Sequence, residues 1–365
     1  MRELEKIEVL KKGLGLLISR PNPKKIKWLN FAVTYLCNNK CKMCSIWKKY
    51  RDNPELFKRE LKLKKVKNLL NSKYLQDIQG VSFTGGEPFL RKDFTDLIGI
   101  FIEKYPNALY GIATNGFNTK LIVDSTKKII DNYQPKHLSL SISLDGIGKK
   151  HDEMRGVDRA YENVINTVKL LQVETDVNLG FNFTITPDNY IDLLKVYELS
   201  RSFQIKMLVG FAHISDFFYE NINNDFIWND NNLSEVDSLI KKMLKDKIKK
   251  EPLMTKLTDP YDFFMANCVK YQRTIKRIYN CYSGVHSFFL DPYGDVYPCI
   301  ILDKKMGNIK EENFDKLWMS SDAQKIRDYI GSKKCQCWTA CETVSTFLRS
   351  FKIIKWNILN KIIRS

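Results

Sequence analysis

Cys37, Cys41 and Cys44 lie within eight residues, spaced C-x3-C-x2-C, directly after an apolar run. Thiolates at that spacing can share one metal centre, yet three of them leave it a ligand short. Structural sites close on four protein ligands, whereas catalytic sites keep a position open for water or substrate. The next cysteine is Cys268, more than 220 residues on, and the first histidine is His137. A zinc knuckle needs its fourth ligand nearby, so zinc is the weaker reading. The triplet reads as an open metal site.

A second group begins at Thr84-Gly85-Gly86-Glu87-Pro88. Gly85 and Gly86 remove side chains, so a ligand can approach backbone, and Glu87 adds a carboxylate able to grip an ammonium group. Chance produces Gly-Gly-Glu often; one strand–helix unit after the cysteine triplet it carries more weight. A third group is Cys281-x12-Gly294-x4-Cys299 followed by Cys335-x-Cys337-x3-Cys341. Five cysteines suffice for one cubane with one to spare, and a zinc ribbon is the competing reading. Cys268 stands outside this spacing and reads as a buried thiol.

These residues need a frame that brings them together. Strand-like runs at 28–36, 80–84, 109–114, 137–144, 177–186 and 205–214 alternate with helix-like segments at 61–75, 93–105, 121–133, 161–173 and 189–203. Val164, Val168 and Leu171 fall on one face of their helix. Such alternation predicts βαβ units and a parallel sheet. Six units give an α/β fold, a partial (β/α)6 TIM-like barrel, with ligands beyond the carboxyl ends of the strands. Residues 216–280 read as a polar connection and two helices. Asp291-Pro292-Tyr293-Gly294 is a type I turn inside a hairpin, and a helix over 313–329 leads to the last cysteines. The expected divisions are a basic amphipathic segment 1–26, a barrel core 27–215, a helical connection 216–280, a cysteine-rich hairpin-plus-helix module 281–345 and a basic amphipathic helix 346–365.

The 365 residues are 44% hydrophobic and 12% aromatic, which excludes wholesale disorder. No run reaches the roughly 20 apolar residues of a spanning helix, and Arg2, Glu3, Glu5, Lys6 and Glu8 interrupt any export signal. Clustered, odd-numbered cysteines fit a reducing cytoplasm better than a disulfide framework. The net charge is +17, and residues 1–30 and 346–365 each contribute +5. Stripes at Ile7, Leu10, Leu14 and Leu17, and at Phe347, Phe351, Ile354, Ile358 and Ile362, face away from most of those charges. Such helices either lie on a membrane surface or pack on the barrel.

On these motifs the chain resembles the radical S-adenosylmethionine (radical SAM) enzymes. The resemblance implies a [4Fe–4S] cluster on Cys37, Cys41 and Cys44, with the amino and carboxylate groups of S-adenosyl-L-methionine on its fourth iron. It assigns the cofactor's contacts to Gly85, Gly86 and Glu87, to Asn115 of Thr114-Asn115-Gly116, to Ser143 and Asp145 of Ser143-Leu144-Asp145-Gly146, and to Arg155 of Met154-Arg155-Gly156. By the same resemblance Glu87 meets the methionine ammonium, Ser143 and Asp145 meet ribose or carboxylate, and Arg155 pairs with the carboxylate as a fork-shaped donor. The residue before the third cysteine is usually aromatic in these enzymes; here it is Met43, a thioether able to fill the same apolar slot.

The later cysteines resemble a SPASM/twitch-like module holding one auxiliary [4Fe–4S] cluster on four of Cys281, Cys299, Cys335, Cys337 and Cys341. Only Gln336 separates Cys335 from Cys337, where relatives usually have two residues. The implied activity is reductive cleavage of S-adenosylmethionine to a 5′-deoxyadenosyl radical that abstracts hydrogen from an unactivated carbon. The implied partner is a low-potential donor such as flavodoxin or ferredoxin. The substrate is expected to be a small molecule, a glycan or a lipid-linked molecule, with a ribosomal peptide as the alternative. A non-catalytic iron–sulfur carrier would explain the cysteines but not Glu87, Asp145 and Arg155. A nucleic-acid modifier rests on charge alone. The expected location is cytoplasmic, with peripheral membrane contact through the basic termini.

Overall fold

In the first six strands large apolar side chains alternate with small or polar ones, and this alternation decides which side holds the core. The computed structural model describes residues 22–224, 226–252, 255–256, 259–340 and 351–363. The strands are β1 (Trp28–Thr34), β2 (Gly80–Gly85), β3 (Leu109–Thr114), β4 (Leu138–Ser143), β5 (Asn178–Ile185) and β6 (Lys206–Phe211). All pair in parallel and lie side by side in chain order. Leu29, Phe31, Val81, Phe83, Ile112, Leu140, Ile142, Phe181, Phe183 and Val209 are buried on the outer face. Helices α3 (Phe94–Lys104), α4 (Thr119–Tyr133), α6 (Ala160–Glu174) and α7 (Leu193–Ser202) cover them, through residues such as Phe101, Ile129, Val168 and Val196. The other face carries Ser82, Gly111, Ser139, Ser141, Ser143, Gly180, Asn182, Thr184 and Gly210, which leave the barrel hollow.

Three short helices depart from the sequence expectation. The first crossover holds α1 (Lys48–Asp52) and a shortened α2 (Leu63–Leu69), and α5 (Lys149–Arg155) follows β4. The segment over 313–329 forms two helices, α10 (Phe314–Trp318) and α11 (Ser321–Gly331). Ser320 divides them: its hydroxyl accepts the Ala323 N–H at 3.1 Å, an N-cap bond. Among the described residues the connection after β6 includes the helices α8 (Asp230–Lys250) and α9 (Tyr261–Thr274).

The cysteine-rich segment does not stand apart from the barrel sheet. Its first strand, β7 (Ser287–Leu290), pairs in parallel with β1, from Trp28 opposite Ser287 to Phe31 opposite Leu290. β8 (Asp295–Tyr297) and β9 (Gly307–Asn308) then pair antiparallel, giving nine strands in one sheet. The turn between β7 and β8 is held by Asp291, whose Oδ1 accepts the N–H groups of Tyr293 and Asp295 at 2.9 and 2.8 Å. Burial pushes the Asp291 carboxyl up to about 7.

The C-terminal helix α12 (Phe351–Ile358) and the turn after it pack against α9. The buried side is Ile353, Asn357 and Lys361, while Ile358 and Leu359 are more than a third exposed. Lys361, which lies off the apolar stripe, is fully buried and pairs with Asp262 at 2.6 Å. Asp262, Asp259 and Glu251 place carboxylate oxygens within 4.8 Å of one another, and the ammonium groups of Lys247 and Lys361 supply the compensating charge. The N-terminal stripe and Phe347 lie outside the described residues. Among the described residues no helix is long and apolar enough to cross a membrane.

Two outcomes follow for stability. Lys361→Ala leaves a buried carboxylate under-compensated and is expected to cost about 3 kcal/mol, read as a lower urea midpoint. Asp291 favours the fold below its ordinary pKa of 3.8 and loses that contribution as pH rises through about 7. Asp291→Asn keeps the turn acceptor without the charge. Its urea midpoint should gain on that of the parent protein between pH 4 and 7, and parallel profiles would refute this reading.

Candidate functional site

The loop after β1 carries the three cysteines, and main-chain bonds hold it on both sides. On one side Gly86 N–H donates to Thr34 O at 2.8 Å and Glu87 N–H to Leu36 O at 2.7 Å. A Cβ on Gly86 would lie 2.2 Å from the Leu36 carbonyl oxygen, and one on Gly85, at φ +129°, 2.1 Å from that of Thr34. The close approach these glycines allow is thus to the chain's own cysteine loop. On the other side Lys40 N–H donates to Arg155 O at 2.9 Å and Lys42 N–H to Met154 O at 3.0 Å. Helix α5 ends there on Gly156, at φ +63°, where a Cβ would lie 2.3 Å from the Lys40 carbonyl oxygen.

Cys37, Cys41, Cys44, Asn39, Gly85, Gly86, Asn115, Ser143 and Arg155 line one cavity of about 230 Å3 at the carboxyl ends of the strands. The Arg155 guanidinium sits between the Asp145 carboxylate and Cys41, donating to Cys41 Sγ at 3.5 Å. Asp145 is fully buried; Oδ1 accepts the Thr184 N–H at 2.7 Å and its own N–H donates to His151 Nδ1 at 2.9 Å. Burial holds His151 well below its usual pKa, so its ring is neutral with the proton on Nε2. Asn115 Nδ2 donates to Asn38 Oδ1 at 2.7 Å and stands 4.0 Å from Cys37 Sγ.

Glu87 and Asp145 are buried beside the cavity and are not among the residues that line it. Glu87 accepts from Thr114 Oγ1 at 2.9 Å, Asn115 N at 2.7 Å and Phe89 N at 3.3 Å. Burial pushes its carboxyl up to about 7. Its carboxylate positions the loop that carries Asn115, as Asp145 positions Arg155. Of the expected polar side chains, Asn115, Ser143 and Arg155 face the cavity.

Several wall residues escaped the sequence reading. Asn182 and Thr184 come from the inward face of β5, and His213 and Tyr219 follow β6. The alternation Phe181-Asn182-Phe183-Thr184 carried the signal for the first two. His213 is held down to about 4 by burial and is therefore neutral. Asn39, between the first two cysteines, is 1% exposed, and neither amide atom has a hydrogen-bond partner.

The donor set fits an iron–sulfur cluster better than zinc. Zinc–thiolate bonds of about 2.3 Å would gather the sulfurs to roughly 3.8 Å of one another. Among the described residues the triplet of metal-type donors within 4.8 Å is Glu251, Asp259 and Asp262, so the cysteines are spread more widely. A cubane distributes its thiolates over separate irons and suits that spread. Burial pushes the Cys37 thiol up to about 12 and raises Cys41 and Cys44, while Arg155 opposes the rise at each. The Asn39 and Ile46 backbone N–H groups favour thiolates at Cys37 and Cys44. The unpartnered Asn39 amide marks room for a polar ligand beside them.

The later cysteines form a second gathering. The hydrogen bond with Cys335 and burial raise the Cys337 thiol, and Cys299 and Cys281 add to the rise electrostatically. Cys335 is drawn down to about 7, chiefly by its hydrogen bond to Cys337, with Arg277 adding to the effect. Cys341 lies outside the described residues. Cys268 is buried as expected, its thiol donating to Met265 O at 3.0 Å.

Comparison with known proteins agrees with this geometry. The Radical SAM superfamily profile matches residues 31–199, and an iron-sulfur cluster-binding domain profile, SPASM, matches residues 281–342. The chain belongs to the radical SAM superfamily. An AdoMet-dependent heme synthase of Oleidesulfovibrio alaskensis is 26% identical over 331 residues, covering 83% of this chain and 76% of the relative. The antilisterial bacteriocin subtilosin biosynthesis protein AlbA of Bacillus subtilis is 21% identical over 301 residues, 81% of this chain and 60% of its own length. Streptococcus suis SuiB bound to S-adenosylmethionine shares the fold at TM-score 0.59 and 18% identity, over 84% of this chain and 68% of that one. The cofactors of this radical SAM enzyme are a [4Fe–4S] cluster and S-adenosylmethionine, with auxiliary iron–sulfur in the C-terminal region.

The Asp145–Arg155 pair generates a test. Asp145→Asn removes the counter-charge of a buried guanidinium and should cost about 3 kcal/mol of stability. In reconstituted protein it should also weaken S-adenosylmethionine binding at least tenfold by calorimetry, with iron content retained. Unchanged affinity would mean that Asp145 does not position Arg155 for the cofactor.

Proposed function

We propose that this enzyme uses S-adenosylmethionine to abstract hydrogen from an unactivated carbon of a small organic substrate, free or at the reactive end of a glycan or lipid-linked molecule. The observation that carries the reading is the convergence of three thiols, Arg155 and the unpartnered Asn39 amide on one cavity. When bound, a [4Fe–4S] cluster with S-adenosylmethionine supplies reductive cleavage of the sulfonium S–C5′ bond and a 5′-deoxyadenosyl radical.

The protein's part is to bind, orient and exclude water. Cys37, Cys41 and Cys44 hold the cluster as thiolates, and Arg155 offsets their charge while presenting its fork to a carboxylate. Asn115 and Ser143 orient the cofactor from the ends of β3 and β4. The backbone of Gly85 and Gly86 forms the floor, and Glu87 fixes the neighbouring loop. Asn182, Thr184 and neutral His213 face the remaining space, where they can hydrogen-bond a substrate without adding charge. Cys281, Cys299, Cys337 and Cys335 hold the auxiliary cluster, with Cys341 the competing fourth ligand. A low-potential flavodoxin or ferredoxin supplies the electron, and the work is cytoplasmic, with α12 and the basic termini next to a membrane surface.

The heme synthase relative supports a small-molecule substrate; the subtilosin biosynthesis relative favours a peptide as the second reading.

Anaerobic reconstitution tests the reading. The parent protein should hold about eight irons and release 5′-deoxyadenosine on reduction with S-adenosylmethionine. Cys37→Ala should lose about half the iron and all nucleoside release. Cys335→Ala and Cys341→Ala identify the fourth auxiliary ligand by which of them loses iron. Intact clusters with no nucleoside from the parent protein would favour an electron carrier.

A further inference from the structure

Charge is concentrated beside the cluster loop as well as at the termini. Residues 40–67 carry eleven lysines and arginines against Asp52, Glu55 and Glu60, a net +8 of the chain's +17. With the two termini removed as well, the rest of the chain is close to neutral. Lys40 and Lys42 flank Cys41, and both are exposed. Lys48, Arg51, Lys58, Arg59, Lys62, Lys64 and Lys65 continue the exposed basic face along the first crossover.

The acids facing this surface do not neutralise it. Asp52 pairs with Arg51 at 2.6 Å, Glu55 with Lys58 at 2.7 Å, Asp188 with Lys42 at 3.8 Å and Glu220 with Lys49 at 2.5 Å. Glu60 is turned toward Tyr50, whose hydroxyl donates to it at 2.7 Å, and lies 3.9 Å from Arg91. Lys40, Lys48, Lys62, Lys64 and Lys65 are left in no ion pair among the described residues. Lys310 is held below its usual pKa by burial and by Arg59 and Lys65, a sign of crowded positive charge.

One aromatic side chain joins this surface to the cluster site. Trp47 is half-buried, lines the cavity and donates from Nε1 to the Cys44 carbonyl at 3.0 Å. The Arg51 guanidinium lies 4.5 Å from its ring and the Lys48 ammonium 5.6 Å. A redox group resting on Lys48 and Arg51 is thereby separated from Cys44 by a single indole.

We propose that the surface formed by Lys48 and Arg51 around Trp47 is the docking site for an acidic one-electron donor protein. The proposal rests on the radical SAM reading above and adds where, and by what charge, the reductant is recognised. Each docking event oxidises the donor by one electron and reduces the group held by Cys37, Cys41 and Cys44 by one, with no proton transferred. Opposite charge speeds encounter and fixes orientation, and its effect weakens as salt rises.

The test compares the reconstituted parent enzyme with a Lys48→Glu/Arg51→Glu variant, using purified flavodoxin as the probe. Binding is followed by flavin fluorescence at several salt concentrations. A second arm drives nucleoside release with photoreduced 5-deazariboflavin, a small uncharged reductant. The parent should bind flavodoxin with an affinity that falls with salt, and the variant at least tenfold more weakly and with a flatter salt dependence. Deazaflavin-driven release should be equal in the two. Equal flavodoxin affinities, or no measurable binding to the parent at low salt, would overturn the docking site. Loss of deazaflavin-driven release in the parent would overturn the catalytic reading instead, leaving the binding arm to judge the surface.

Discussion

The buried contact between Asp145, Arg155 and Cys41 is the constraint on which the site depends. A guanidinium out of water is tolerable only beside compensating charge. Asp145 supplies part of that charge, and a thiolate at Cys41 would supply more. The same arginine ends α5, and its carbonyl accepts from Lys40, so one residue ties the end of β4 to the cysteine loop through side chain and backbone. With metal-free thiols raised by burial, Arg155 is the positive charge that favours their ionised form.

This arrangement needs rigid support, and the supports are mostly polar groups bonded to one another. Thr184 N–H and Asn189 Nδ2 hold Asp145, the latter at 3.0 Å from its carbonyl oxygen. Thr114 and Asn115 hold Glu87. Arg91 reaches the carbonyls of Val33 and Leu61 at 2.7 and 2.6 Å, tying β1 to the first crossover. These bonds lie within the fold, and together they orient the cavity wall. The nine-stranded sheet then sets the second cysteine group at the flank of β1.

Much of this was legible in the sequence. The period of the apolar residues gave the six parallel strands, and motif spacing gave the three cysteines and the polar positions at the strand ends. The protein partners of Glu87 and Asp145 were not legible. A carboxylate at a strand end looks the same whether it meets a ligand or a neighbouring N–H, and only packing decides. Helix α5 was missed because seven residues are too few for periodicity to register. The pairing of β7 with β1 joins residues about 260 apart in the chain, and nothing local encodes it. Nor was the burial of Lys361 legible, because its ammonium meets a carboxylate on another element.

The central claim is that the cysteine triplet holds a cluster whose open position takes S-adenosylmethionine, with Arg155 beside it. Electron paramagnetic resonance of the anaerobically reduced protein, with and without S-adenosylmethionine, tests this most directly. Cys281→Ala and Cys299→Ala variants remove the auxiliary signal. The account predicts a reduced-cluster spectrum that shifts when S-adenosylmethionine is added. A spectrum unchanged by saturating S-adenosylmethionine would contradict it.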